Sequence, residues 1–260
     1  MPTSTAIHID LISDTSTCPT PGMRRAMAEA EVGDEQRGED PSVNRLCERA
    51  AELMGQEAAM FVPSGTMCNQ IAIATHCQPG DEIITAENSH ITGSEGAGAA
   101  VFAGSCIRVI SCRRGIFSAA DVSAAVRPLK PGSPHSRLVE VEQTNNRGGG
   151  SVWPLEAIRS VTDAARAHDL ALHMDGARLM NAAVASGISA HDFAAPFDSV
   201  WLDLSKGLGC PIGGVLAGST KFIEGAWAWK HRFGGAMRQA GILAAAGLYA
   251  LDHHVDRLAE

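Results

Sequence analysis

Among the 21 basic residues of this 260-residue sequence only four are lysines, at positions 130, 206, 221 and 230. Chemistry that needs an amine nucleophile therefore has few places to occur. Lys206 is the least ordinary of the four. It ends the apolar run Trp201-Leu202-Asp203-Leu204-Ser205 and is followed by Gly207-Leu208-Gly209-Cys210-Pro211, unlike a surface lysine whose stem lies along apolar side chains with its amine in water. Asp175 ends another apolar run, where a buried carboxylate needs a cationic partner; Arg178, three residues on, is one candidate and a ligand is another. Ser64-Gly65-Thr66 opens a helical pattern, so backbone N–H groups, two hydroxyls and the helix dipole converge where a phosphate could sit. Read alone, that tripeptide is more simply an N-cap, and His90 alone is more simply a helix-start histidine.

The elements that must position these groups are legible as alternating patterns. Short β-branched or apolar runs at 58–62, 82–85, 107–111, 138–142, 171–174, 199–204 and 214–217 predict strands, and amphipathic stretches at 41–54, 66–77, 90–102, 118–126, 154–168 and 176–186 predict helices. From Gly225 onward the chain reads as helical, with one long Ala/Leu-rich pattern over 242–259. This alternation implies an α/β fold: a mostly parallel, seven-stranded sheet with helices on both faces. In such sheets ligands bind outside the carboxyl ends of the strands, which is where Ser64, His90, Glu142, Asp175 and Lys206 all fall.

Together these residues are the parts needed to hold pyridoxal 5'-phosphate. The aldehyde forms a Schiff base with a lysine, a carboxylate keeps the pyridinium nitrogen protonated, and a planar side chain covers the ring. Other motifs do not qualify. Gly96-Ala97-Gly98 lacks the third glycine of a dinucleotide fingerprint, and no Walker A or HExxH run occurs. His253-His254 read as surface histidines, and Trp227 and Trp229 as packing; no metal is expected.

Composition narrows the setting. There are 29 acidic against 21 basic residues, a formal net charge of −8, which argues against nucleic-acid or anionic-membrane surfaces. No apolar run approaches a membrane span, and no secretory leader is expected. Seven cysteines without a C-x-x-C pair argue against a disulfide scaffold and point to a reducing cytoplasm.

The same residues resemble the low-specificity L-threonine aldolases, fold-type I pyridoxal phosphate enzymes of the aromatic amino acid β-eliminating lyase group. The resemblance runs along the whole chain. It includes Ile9-Asp10-Leu11 with Ser13-Asp14-Thr15, Glu31-Val32-Gly33-Asp34 with Gly38-Glu39-Asp40-Pro41, and Pro63-Ser64-Gly65-Thr66. It continues through His90 and Glu95, Asp175-Gly176-Ala177-Arg178, Leu204-Ser205-Lys206-Gly207-Leu208-Gly209, and 234–239 leading into Gly241-Ile242-Leu243-Ala244-Ala245. The resemblance implies a cofactor-binding large domain over 1–260, with an N-terminal segment of about 40 residues. Lys206 would carry the cofactor, Asp175 would pair with its ring nitrogen, and His90 would stack on the ring. Ser64, Gly65 and Thr66 would cradle the phosphate. Arg178 would contact the phenolic oxygen or the substrate carboxylate, with Ser13 nearby. Arg238 would reach a neighbouring subunit's phosphate, implying a homodimer or homotetramer with sites at the interface. The implied reaction is retro-aldol cleavage of a β-hydroxy-α-amino acid to glycine and an aldehyde. A β-elimination or transamination on the same fold, or a catalytically impaired cofactor-binding subunit, is the alternative.

Departures from the family pattern carry expectations of their own. In Glu142-Gln143-Thr144-Asn145-Asn146, Asn145 stands where a histidine helps grip the substrate hydroxyl. Arg37 replaces a tyrosine, Ile12 an arginine and His231 a lysine. Ser94 replaces an aromatic, which predicts room for a phenylserine-type substituent. Family members continue into a small α/β domain, whereas the helical pattern here runs to Glu260; the expectation is that this domain is absent and catalysis weaker for it.

Overall fold

The structure is a computed structural model that describes residues 10–260. Ile9 of the first motif lies outside the described residues. Seven strands form one sheet: β1 (Ala58–Val62), β2 (Asp81–Ala86), β3 (Cys106–Ile110), β4 (His135–Glu142), β5 (Ala171–Gly176), β6 (Ser199–Asp203) and β7 (Gly214–Gly218). Their order is β1-β7-β6-β5-β4-β2-β3, with β7 antiparallel to both β1 and β6 and every other pair parallel. The α/β, mostly parallel, seven-stranded expectation holds, and each strand lies where its apolar run predicts it. β6 and β7 are buried along their whole lengths, as strands covered on both faces must be, which is why they read as continuous apolar runs.

The helices are α1 (Pro21–Ala28), α2 (Pro41–Met54), α3 (Gly65–His76), α4 (His90–Gly93), α5 (Gly98–Ala103) and α6 (Ala119–Ala125). They continue with α7 (Leu155–Ala167), α8 (Leu179–Ser186), α9 (Ala190–Ala194), α10 (Thr220–Arg232) and α11 (Gly241–His253). Their ends follow local chemistry. Asp40 caps α2 through the N–H groups of Ser42 and Val43, both at 3.1 Å, with Pro41 inside the first turn. The same carboxylate also accepts from the N–H of Gly241 at 2.8 Å, which ties the start of α11 to the start of α2. Among the described residues no helix is long and apolar enough to cross a membrane.

Two helical expectations are corrected. The pattern over 90–102 is broken into α4 and α5, because Glu95 turns inward to buried hydrogen-bond partners. Gly96 and Ala97 take up left-handed backbone with φ 59° and 58° to allow that turn. The pattern over 242–259 ends at His253, and 256–259 forms a short 3-10 turn. Sheet spacing also dictates one glycine. A Cβ on Gly176, at the end of β5, would fall on the carbonyl oxygen of Trp201 in β6, so the residue after Asp175 can carry no side chain.

Candidate active site

Chain reversals at the carboxyl ends of β1, β4, β5 and β6 surround a cavity of about 290 Å³, at the small end of ligand sites. It is lined by Ser13, Ser64, Gly65, Thr66, His90, Asp175, Arg178 and Lys206, together with Glu142, Asn146, Trp201 and Asp203. Eight of the ten residues singled out from the sequence thus converge. The exceptions are Asn145 and Arg238.

Ser64 and the start of α3 build one end. Ser64 Oγ accepts from Met67 N at 3.2 Å and so is spent as the N-cap, leaving the first N–H groups of the helix toward the cavity. A Cβ on Gly65 would fall on the Trp201 ring, so the backbone can approach this close only as glycine. The N-cap reading of the tripeptide is what the hydrogen bond shows, and the same helix start lines the cavity.

Asp175 is fully buried. Its Oδ2 accepts from Asn69 Nδ2 at 2.8 Å and its Oδ1 from Ala177 N at 3.0 Å, and neither partner is a cation. Burial pushes its pKa up, and Asn69's hydrogen bond pulls it back. Arg178, the alternative partner by spacing, points elsewhere: its Nε and Nη2 donate to Asp14 at 2.6 and 2.8 Å. That fork anchors the turn containing Ser13 against the cavity.

His90 begins α4, and its Nδ1 lies 2.7 Å from Glu95 Oε1. That carboxylate hydrogen bond raises the His90 pKa, against the opposing effect of burial. Glu142 closes the same wall. Its Oε2 accepts from His90 N at 3.0 Å and its Oε1 from Asn146 N at 2.9 Å. Burial first, and then the charge of Asp175, push it up to about 7. Lys206 pairs with Asp203, its Nζ lies 5.4 Å from the Trp201 ring centroid, and its carbonyl accepts from Thr17 Oγ1 at 2.7 Å.

Asn145, expected against the substrate, does not line the cavity. It is fully buried, donates to Glu142 Oε2 at 3.2 Å and accepts from Gly148 N at 2.7 Å, and Asn146 faces the cavity in its place. Arg238 lies on the surface and pairs with Asp34 at 2.7 Å. Ser94 is also off the cavity wall, and its hydroxyl takes a hydrogen bond from Arg147 at 3.0 Å. His254 is not a surface histidine: it is buried and its Nδ1–H donates to the Leu208 carbonyl at 2.7 Å, bracing the loop after Lys206. Asn69, Asp203 and Trp201 went unmarked in the sequence because a polar residue inside an amphipathic helix, or an acid inside an apolar strand, has no spacing signature. For Asp203 the signal available was an acid three residues before the lysine.

A family model described as Beta-eliminating lyase matches residues 10–260. The chain belongs to the β-eliminating lyase family. Within that family's neighbourhood, it is 42% identical over 253 residues to the low specificity L-threonine aldolase of Escherichia coli, covering 97% of this chain and 75% of that protein. An uncharacterised protein of Caenorhabditis elegans is 47% identical over 250 residues, covering 96% of this chain and 60% of its own length. This member of the β-eliminating lyase family therefore spans less than two thirds of that relative. It shares its fold with the threonine aldolase of Leishmania major at a TM-score of 0.83 and 21% identity, over 94% of this chain and 73% of the other.

Proposed function

We propose that this protein binds pyridoxal phosphate and cleaves threonine or a related β-hydroxy-α-amino acid to glycine and an aldehyde. The observation that carries the reading is the convergence of Lys206, Asp175, His90 and the start of α3 on one cavity. The cavity fits the cofactor in three respects. The helix start offers N–H groups to a phosphate, Asp175 is a buried carboxylate without a cationic partner, and Lys206 is the lysine among the four that lines the wall. The names of the relatives support the same reaction. The odd number of cysteines without a C-x-x-C pair supports a reducing cytoplasm, and the surface position of Arg238, off its own chain's cavity wall, supports an oligomer in which it serves a neighbour.

When bound, pyridoxal phosphate supplies an electron sink for the breaking Cα–Cβ bond. The chain's residues do the rest. Lys206 anchors the cofactor and Asp175 balances the charge on its ring nitrogen. Arg178, held by Asp14, and Ser13 offer donors to the substrate carboxylate. His90 is placed to take the β-hydroxyl proton, directly or through a water, and Glu142 is a second proton acceptor on the same wall. Both groups accept a proton only when deprotonated. The raised His90 and a Glu142 near 7 give a rate that climbs with pH from about 6 to 8. Measuring kcat/KM across that range checks this; a flat profile would remove both residues as acceptors.

The test of the function is product analysis of the purified protein with pyridoxal phosphate. Threonine should yield equimolar glycine and acetaldehyde, and phenylserine glycine and benzaldehyde. A strong preference for threonine would sink the phenylserine expectation. Formation of pyruvate and ammonia from serine, without aldehyde from threonine, would replace the aldolase reading with β-elimination.

A further inference from the structure

Behind the cavity a chain of hydrogen-bonded side chains leads from Asp175 to a second cleft lined by His76. Asn69 of α3 is fully buried, and its Nδ2 donates to Asp175 Oδ2 and to Glu95 Oε1, each at 2.8 Å. Its Oδ1 accepts from Trp201 Nε1 at 2.8 Å and lies 3.0 Å from His173 Nε2. His173 Nδ1 lies 2.8 Å from Ser199 Oγ, which lies 2.8 Å from His76 Nε2. His76 opens onto a separate cleft, with its ring stacked on Phe222 at a centroid distance of 4.8 Å.

The direction of every proton in this chain follows from its ends. Carboxylates accept and an indole N–H donates, so the Asn69 amide can face only one way: nitrogen toward Asp175 and Glu95, oxygen toward Trp201. His173 must then carry its proton on Nε2 to meet that oxygen. Its Nδ1 is therefore an acceptor, which obliges Ser199 to donate to it and to accept from His76 Nε2–H. Burial holds both histidines neutral, with His173 lowered to about 3 and His76 to about 4. The amide also fills the space between the two carboxylates, where a cation would otherwise be required.

The geometry points to Asn69 as a positioning residue for Asp175. It is the last link of a one-way series of donors from His76 through Ser199 and His173, and it fixes the carboxylate that faces the ring nitrogen. This inference rests on the cofactor reading above. The opposition between burial and Asn69's hydrogen bond at Asp175 supports it: without that donor, the buried carboxylate keeps its proton more readily and balances the ring charge less well.

Two measurements test it. In cofactor-free protein labelled with nitrogen-15 at histidine, His173 should appear as the neutral Nε2–H tautomer. In Ser199→Ala it should keep that proton, facing the Asn69 oxygen, while its Nδ1 shift moves to that of an imidazole nitrogen without a hydrogen bond. A wild-type His173 protonated on Nδ1 would overturn the polarity and the proposal with it. In fluorescence titrations with pyridoxal phosphate, Asn69→Ala should raise Kd by about tenfold or more. The midpoint of the bound cofactor's absorbance change with pH should move by about one unit, equivalent to that factor. A purely structural role would lower the melting temperature without moving that midpoint. A wild-type Kd and midpoint in Asn69→Ala would overturn the proposal. Should Asn69→Ala not fold, Ser199→Ala decides: a shift of about threefold in Kd in the same direction supports the proposal, and wild-type values overturn it. Failure of the wild-type protein itself to take up pyridoxal phosphate would instead defeat the cofactor reading.

Discussion

Replacing Lys206 by alanine should remove both the covalent anchor proposed for the cofactor and the activity, by a factor on the order of 10⁴ or more. The wild-type protein with pyridoxal phosphate should show a near-visible Schiff-base band that borohydride abolishes, and Lys206→Ala should show none. The decisive control is another lysine. Lys230 is also buried, and burial lowers its pKa, which by itself describes a reactive amine. Its surroundings exclude that role. It is paired with Glu35, and its Nζ lies 4.2 Å from the Trp227 ring centroid, away from the cavity. Lys230→Ala strands a buried carboxylate, so it costs about 3–5 kcal/mol of stability while the folded fraction keeps the band. A Lys206→Ala protein that retained the borohydride-sensitive band would overturn the assignment.

Asp175→Ala separates stability from function. The carboxylate is fully buried beside Glu95 and Glu142, and its pKa is raised chiefly by burial. Deleting it removes the cost of desolvating a charge without a bonded cation. The cofactor-free protein therefore melts no lower than wild type. In the proposed function catalysis depends on that charge opposite the ring nitrogen, and its loss should cost about 10³-fold in kcat, near 4 kcal/mol. Melting curves of the cofactor-free proteins and rates of aldehyde release read the two halves separately. A variant within tenfold of wild-type activity would remove Asp175 from its role. Groups whose deletion stabilises a fold while disabling it are kept for their chemistry.

The strands and the cavity wall were legible because both follow simple periods. Apolar runs of β-branched residues mark the sheet, and the residue after each run marks its carboxyl end. Lys206, Asp175, His90 and Ser64 were found by that rule. What escaped it depends on contacts between elements distant in sequence. The break between α4 and α5 needs Glu95 to find His90 and Asn69, which no helical period records. Asn145 was placed toward the substrate by analogy, yet it lies behind the wall, bonded to Glu142 and Gly148. His254 looked like a surface residue on a late helix until the loop after Lys206 gave its ring a carbonyl to bond.

The place of β7 in the sheet has a consequence in time. β1, whose end becomes the start of α3, lies at the sheet edge with β7 as its strand partner, and β7 is the last of the seven strands to be made. A growing chain on the ribosome thus carries Ser64 and Gly65 for most of its synthesis with the edge above them open. Phe61 pairs with Val215, and Val62 with Gly214, so the first strand made closes only onto the last. Such long-range closure is slow and leaves unpaired edges available to other chains. Nascent chains halted before Gly214 lack the strand that pairs with β1, so the strand leading into α3 gains its partner only late in synthesis.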